Sequence, residues 1–192
     1  MLLPGELMPL HIFEERYKRM IGDCVERSIP FGIVFRDSDG ARNVGCEARV
    51  TEVLKRFDDG RMDIVVTGER PFRVLDRFES DNYPAGEVEP VAEPAEDEPG
   101  KEADMAREAF AELVERVSGE PPDRAELDAE DAYGIAGRVE LPPETKQRLL
   151  ELRSEHERMR LLGDALDALV GALERSSEIA ERAKMNGKVV VG

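Results

Sequence analysis

The sequence has no tryptophan and, among its 192 residues, only two cysteines and two histidines. Cys24 and Cys46 form no CxxC pair, which argues against a zinc knuckle and a disulfide framework. His156 is not followed four positions later by the second histidine that the H-E-x-x-H metal motif requires. We therefore expect no metal and no other cofactor.

Long apolar runs are also missing. The longest runs, such as residues 64–67 and 189–191, fall far short of the roughly 20 residues that cross a bilayer. Residues 1–6 show no basic region leading into an apolar stretch, which argues against a signal peptide. We therefore expect a cytoplasmic protein that makes no membrane contact.

Positive charge is scarce, because 27 Lys and Arg stand against 43 Asp and Glu and the formal net charge is -16. Such a charge repels a polyanion, so we do not expect nucleic acid as a partner. RNA binding would need a local basic patch. The residues that could form one are Arg49, Lys55, Arg56, Arg70 and Arg73.

Motifs for catalysis are absent from the sequence. It has no G-x-x-x-x-G-K-[ST] phosphate loop, no G-x-G-x-x-G dinucleotide motif and no G-x-S-x-G nucleophile elbow. Asp and Glu are so abundant that the choice of any carboxylate pair as acid and base would be arbitrary. We therefore expect a protein that is not an enzyme.

Charge and pattern divide the chain into three predicted segments. Up to residue 90 there are 13 basic and 18 acidic residues, and beyond it 14 and 25. Closely spaced prolines and acidic residues predict an exposed, extended connector over residues 92–100, with an acidic docking segment as the alternative. We predict a β-subdomain over residues 1–91 and an α-helical subdomain over residues 101–192.

The first segment shows mostly the two-residue period of strands. Apolar and polar residues alternate over 46–50 and again over 62–66, with Asp58-Asp59-Gly60 between them as a turn. This pattern predicts a hairpin over residues 46–68, with a bulge where the alternation breaks at Glu52 and Val53. One early helix is predicted from a stripe at helical spacing, which comprises Phe13, Tyr17, Met20, Ile21, Cys24 and Val25.

The last segment is predicted to be helical throughout. A stripe from Ala106 to Val117 ends at Gly119, a short helix is predicted over residues 129–139, and another begins at residues 142–143. The final helix is predicted over residues 154–184 and carries a heptad stripe of Met159, Leu162, Leu166, Leu169 and Leu173. Gly163 and Gly171 inside it predict a kink or a close helix crossing.

Residues 8–17 read Met-Pro-Leu-His-Ile-Phe-Glu-Glu-Arg-Tyr and resemble the L-P-L-H-I-F-E-P-R-Y signature of the Lon protease N-terminal domain family. Residues 45–50 resemble the family's G-T-x-A-x-I strand. Residues 59–61 and 68–74 resemble its D-G-R and G-x-x-R-F-R-I segments, and residues 146–151 its K-Q-x-L-L-E helix. The resemblance covers about residues 2–175.

The resemblance implies an α+β fold, with a PUA-like small β-barrel and one early helix followed by a C-terminal α-helical bundle that ends in a long helix. In Lon this region contacts substrate polypeptides and helps to pass them to an ATPase and a Ser-Lys protease in the same chain. Neither is found in these 192 residues. The resemblance thus implies a free-standing, non-catalytic relative of that domain.

Ten residues carry the resemblance most clearly: Pro9, Leu10, His11, Phe13, Glu14, Arg16, Tyr17, Gly68, Arg70 and Phe72. We expect them to be mainly structural. By periodicity the proline, leucine, phenylalanine and tyrosine of residues 8–17 are predicted to lie in the core. His11 is predicted to be a hydrogen-bonded packing residue, Glu14 and Arg16 to tie the helix start to the barrel, and Gly68 to mark a bulge or a close strand approach. No substrate contact is assigned.

Two departures from the family pattern matter for the fold. Only residues 1–5 remain of a strand that precedes the signature in the family, so we expect an unpaired barrel edge. Glu15 replaces the family's proline, and because a carboxylate suits the first turn of a helix we expect the helix to form.

The leading hypothesis for function is a module that binds unfolded or extended polypeptides, or a protein partner such as a protease or a chaperone, by apolar surface. The alternative is a structural or regulatory protein that assembles through the heptad stripe of its last helix. The expected state is a monomer or a weak homodimer.

Overall fold

The computed structural model of the chain describes residues 1–79, 83–92, 94 and 100–186. Two compact units are present, each discontinuous in sequence. The first, the sheet unit, comprises Met1–Glu96 and Asp131–Glu155, and the second, the helix unit, comprises Asp97–Glu130 and His156–Gly192. The three linear segments predicted from composition stay a prediction. Most of the predicted connector and the valine run 189–191 lie outside the described residues.

Five strands form an antiparallel sheet: β1 (Leu7–Ile12), β2 (Phe31–Asp37), β3 (Gly40–Arg56), β4 (Met62–Glu79) and β5 (Pro84–Pro90). Their order is β1-β4-β3-β2, and β5 pairs with the later residues of β4. The predicted hairpin of residues 46–68 is part of this sheet, since β3 and β4 pair antiparallel across it. The described pairings do not close the sheet, so the predicted PUA-like barrel stays a prediction.

The hairpin of β3 and β4 has the predicted turn. Gly60 has φ 82°, a conformation that glycine adopts without strain, and the strands pair on both sides of it. The register shifts between Val50 and Glu52 and again between Val53 and Lys55. The predicted bulge is thus present and is followed by a second one, which adds twist to this part of β3.

The core of the sheet unit lies between the sheet and the helix α1 (Glu15–Arg27). Alternate residues of β4, namely Met62, Ile64 and Val66, are buried and share one hydrophobic cluster with Ile21 of the helix. Residues of other strands that pair with these three β4 residues face the same side of the sheet, which we call the inner face. The β4 residues between these three face the opposite side, which we call the outer face. Glu15 begins the helix in place of proline, as expected.

Two helices after residue 130, α4 (Ala132–Gly137) and α5 (Pro143–Glu151), belong to the sheet unit. Lys146 of α5 forms an ion pair of 2.5 Å with Glu6, and both side chains are largely buried. The neighbouring Gln147 donates a hydrogen bond to the Val44 carbonyl of β3. These two residues begin the K-Q-x-L-L-E segment, which therefore fastens α5 to the strands.

The helix unit contains α2 (Lys101–Ser118), α3 (Arg124–Asp128) and α6 (Glu155–Asn186). Gly119 ends α2 with φ 85°, as predicted. A Cβ on Gly163 of α6 would lie 3.6 Å from Cα of Ala106 in α2, which agrees with the predicted close crossing. The predicted short helix over residues 129–139 is shorter and begins later, because Asp131 caps α4 by accepting a bond from the Gly134 amide.

The heptad stripe of the last helix faces inward in the helix unit. Met159, Leu162 and Leu166 are buried, while Leu173 is partly exposed. Assembly through this stripe is therefore not favoured, because its first three members already pack inside their own chain. The predicted C-terminal helices are present, and their description as a bundle stays a prediction. Within the described residues, no helix is both long and apolar enough to cross a membrane.

Candidate polypeptide-binding groove

The signature residues 8–17 form β1 and the first turn of α1. Leu10 points to the inner face and packs on the core, whereas Pro9 points outward and is exposed. Phe13 is 61% exposed. The prediction of a core position was wrong for Pro9 and Phe13. Glu14 caps the helix with extended backbone angles, so Phe13 precedes the helix and is not part of its stripe.

His11 forms an exposed cluster with aromatic and charged neighbours. Its Nδ1 lies 2.5 Å from Oδ1 of Asp63 on β4, and its ring stacks on Phe13 at 6.1 Å between centroids. Phe57 approaches the same imidazole edge-on. The imidazole is thus hydrogen-bonded, as predicted, but on the outer face of the sheet.

Glu14 and Arg16 contact each other at 2.9 Å, and the Arg16 guanidinium lies 4.7 Å from the centroid of the half-buried Tyr17. These contacts stay within the start of the helix. They do not tie it to the sheet, contrary to the prediction, because the short spacing lets the two charges pair locally.

The remaining signature residues lie on β4. A Cβ at Gly68 would come 2.0 Å from the Leu3 carbonyl oxygen, which confirms a close backbone approach. Phe72 is buried, and its ring lies against one glycine of β2 and one of β3. Arg70 pairs with Glu47 across the sheet at 2.8 Å. None of the three lines the groove described below, and their mainly structural role stays a prediction.

The basic residues that could form an RNA-binding patch are largely engaged by other groups. Arg49 pairs with Glu69, Arg70 with Glu47, and Arg73 lies 3.8 Å from Glu89. Each of these carboxylates lowers the positive potential that a phosphate backbone would meet.

A groove lies where β2 stops covering β3. The pairing of β2 ends at Ala48, and in the part of the chain that the structure describes no strand pairs with the second edge of β3 from Arg49 to Arg56. The chain leaves α1 through Ser28, whose φ of 54° is left-handed, and does not follow this edge. A cavity of about 230 Å³ lies between the end of α1 and β3. We name it the α1–β3 groove.

The apolar lining of the groove continues the core. Val50 and Val53 of β3 pair with Val66 and Ile64 and so lie on the inner face. Residues of α1 and of the segment after it complete the apolar wall, which comprises Cys24, Val25 and Ile29. Burial raises the pKa of the Cys24 thiol, as expected of a group in apolar surroundings.

The positive charge of the one arginine in the lining is balanced by a carboxylate. Arg49 pairs with Glu69 through its Nε, and its Nη1 donates a hydrogen bond of 2.5 Å to the Ser28 carbonyl. The hydrogen bond to Glu69 raises the pKa of this guanidinium, so it stays charged and fixed in place. The rim is polar, with Thr51 and Glu52 exposed. A polar rim over an apolar floor suits an amphipathic ligand.

Proline distinguishes the free edge of β3 from two other strand edges. β1 carries Pro9 in its middle, and β5 begins at Pro84 and ends at Pro90. Proline lacks the amide hydrogen that a pairing strand needs, so it protects an edge from additional strands. Residues 49–56 contain no proline. Proline therefore removes no backbone N–H from this stretch.

The sequence pattern does not single out the groove residues. The stripe of the early helix included Cys24 and Val25, but it indicated only that they face apolar surroundings. The difference in strand length that uncovers the edge, 17 residues for β3 against 7 for its neighbour β2, is seen only in the structure, because the sequence alternation marks only residues 46–50 of β3. A long strand beside a short one must leave part of an edge uncovered.

Within the described residues, no group of three or more His, Cys, Asp or Glu could hold a metal ion.

The antiparallel sheet and the covering helix define an α+β domain, with a groove beside an unpaired strand edge. A family model described as the ATP-dependent protease La (LON) substrate-binding domain matches residues 1–168. The chain belongs to this family.

Sequence relatives agree with this assignment. The Lon protease of Paraburkholderia phytofirmans is 27% identical over 199 aligned residues, which cover 95% of this chain and 25% of that protein. The Lon protease of Anaeromyxobacter dehalogenans is 29% identical, with coverages of 94% and 23%. The chain thus spans about a quarter of the length of these relatives.

Solved structures show the same fold. A Lon N-terminal domain protein from Xanthomonas campestris has a TM-score of 0.65 at 26% identity, covering 84% of this chain and 90% of that chain. The N-terminal domain of a Mycobacterium avium complex Lon protease has a TM-score of 0.65 at 21% identity, with coverages of 87% and 92%. The second likeness shows the fold alone.

Proposed function

We propose that this chain is a non-catalytic module that binds extended segments of other polypeptides in the α1–β3 groove. The observation that carries the proposal is the unpaired edge of β3, from Arg49 to Arg56, beside an apolar cavity. The family description as a substrate-binding domain supports the same function. The proposal assigns no catalytic group to residues 1–192.

The physical basis is the addition of a strand to the sheet. A bound segment would form main-chain hydrogen bonds with β3 and place every second side chain over Val50 and Val53. Apolar side chains there lose contact with water, at roughly 25 cal/mol per Å² of buried area. Backbone bonds give little sequence selectivity, so such a module accepts many segments that are apolar at alternate positions.

A labelled peptide tests the proposal. The probe is acetyl-Lys-Val-Thr-Val-Thr-Val-Lys-amide carrying fluorescein, and its control has the same side chains with N-methyl groups on alternate amides. We expect the first peptide to raise the fluorescence anisotropy on binding and the second to bind at least about tenfold more weakly, since methylation removes the pairing amides. No binding of either peptide at about 1 mM protein would contradict the proposal.

Two protein variants locate the site. Ile29→Glu places a charge at the wall of the groove, and we expect it to weaken peptide binding about tenfold or more because the carboxylate loses water when the groove is filled. Leu75→Glu is the matched control, because Leu75 on β4 is similarly exposed but does not line the groove. Equal loss in both variants would place the binding site elsewhere.

A further inference from the structure

We propose that a second copy of this chain pairs with the free edge of β3, in a two-fold antiparallel arrangement that places Glu52 of each copy opposite Lys55 of the other. The inference uses the same strand edge as the proposed polypeptide binding, but it does not depend on it. It implies that the protein covers its own groove when no polypeptide is bound.

The charges on the outer face carry the inference. Glu52 pairs with Val65 and Lys55 with Asp63, and because these two β4 residues are two positions apart, Glu52 and Lys55 share the outer face. In an antiparallel pair centred between residues 53 and 54, each of them meets the other type of charge on the second copy. A two-fold axis produces this contact twice.

Both charges are available for such a contact. Glu52 is exposed and forms no ion pair within the described part of the chain. The Lys55 ammonium is also exposed and lies 4.5 Å from the centroid of the Phe57 ring. A cation on an exposed ring is held only weakly, so a carboxylate can draw the ammonium away.

Apolar residues complete the register. The same arrangement places Val53 opposite Leu54 of the second copy. Leu54 is 55% exposed, which is unusual for a leucine inside a long strand. Pairing would remove this leucine from water in both copies at once.

The geometry predicts a weak dimer. The register of β3 shifts on each side of Glu52 and Val53, and such bulges twist an edge and shorten the stretch that can pair. Each copy also carries a formal net charge of -16, so the two copies repel each other. A short interface between like-charged molecules dissociates readily, which leaves the edge accessible to a polypeptide.

Charge reversal in the full chain tests the inference by sedimentation equilibrium. We expect the unaltered protein to dimerise, and Glu52→Lys and Lys55→Glu each to weaken the dimer about tenfold or more, because like charges then face each other twice. The double variant should dimerise again. An equimolar mixture of the two single variants should also form heterodimers, since all four facing charges are then complementary.

Matched controls are Glu108→Lys and Lys101→Glu, which make the same charge changes at exposed positions on α2. Circular dichroism shows whether each variant remains folded. A monomeric unaltered protein at about 0.5 mM, or a dimer that neither single variant weakens, would overturn the inference. So would a mixture of folded single variants that stays monomeric.

Peptide binding and dimerisation can be tested independently of each other. Peptide binding is measured on the unaltered protein at concentrations below those at which sedimentation equilibrium detects a dimer, so that the free edge is uncovered. Absence of binding there contradicts the proposed function and leaves the dimer standing. If both proposals hold, the peptide dissociates the dimer of the unaltered protein, whereas the N-methylated peptide does not.

Discussion

At Gly68 the backbone of the N-terminal residues comes so close to β4 that no side chain fits. The Gly68 amide donates to the Glu6 carbonyl at 3.0 Å, and Pro4 forms a bridge to the same glycine. Leu2 and Leu3 are thereby held in the core, where both are fully buried. Because Gly68 has no side-chain carbon, the first residues of the chain can pack against β4 at this point.

We expect Gly68→Ala to lower the free energy of unfolding by about 3 kcal/mol, because its Cβ would lie 2.0 Å from the Leu3 carbonyl oxygen. Gly22→Ala is the control. It lies inside α1 with nothing within 4 Å of an added Cβ, so alanine should stabilise the protein by about 0.5–1 kcal/mol. Urea unfolding of the three proteins measures both changes. A neutral Gly68→Ala would show that the first residues do not pack here.

The residue scale also shows where the sequence pattern misleads. Leu10 and Phe13 are three positions apart and belong to the same signature, yet Leu10 packs on the core and Phe13 is exposed. Leu10 follows the two-residue period of a strand. Phe13 follows no regular period, because the chain changes from strand to helix between the two residues. A pattern read across such a junction has no single period, so it cannot assign the inner face.

At the scale of elements, the hairpin and the helix ends could be predicted and the position of α5 could not. Gly60 and Gly119 are local signals, since each supplies a left-handed residue where the chain must turn or end a helix. Lys146 and Gln147 instead contact residues 140 and 103 positions away. No local rule connects such distant residues. The same reason hid the groove, which forms between α1 and β3.

The contact of Lys146 with Glu6 gives a prediction at this scale. Replacing Lys146 by Met should cost about 3 kcal/mol, because it leaves a largely buried carboxylate without its cation. Adding Glu6→Gln should recover part of this loss, with a coupling energy of about 1–3 kcal/mol in a double-mutant cycle measured by urea unfolding.

The exposed pair of Arg124 and Asp128 in α3, at 3.0 Å, is the matched control for this cycle. Its coupling energy should stay below about 0.5 kcal/mol, because solvent screens the pair. Equal coupling for the two pairs would show that Lys146 does not fasten α5 to the sheet unit.

At the scale of the whole molecule the dominant property is negative charge. With 43 acidic residues against 27 basic ones, the folded protein repels itself, and dissolved salt screens this repulsion. We expect the thermal midpoint to rise by about 3–6 °C between 20 and 500 mM NaCl at pH 7. The effect should largely vanish near pH 4.6, the sequence pI. A midpoint that falls with salt at pH 7 would show that surface ion pairs outweigh the repulsion.

The sheet unit is built from two stretches of chain, Met1–Glu96 and Asp131–Glu155. During translation the strands therefore leave the ribosome well before α5, whose Lys146 and Gln147 hold contacts with Glu6 and β3. Until then Glu6 lacks its cation and the Val44 carbonyl lacks its donor. The nascent sheet passes through an incomplete stage that lasts while about 60 further residues are synthesised, at roughly 5–20 residues per second.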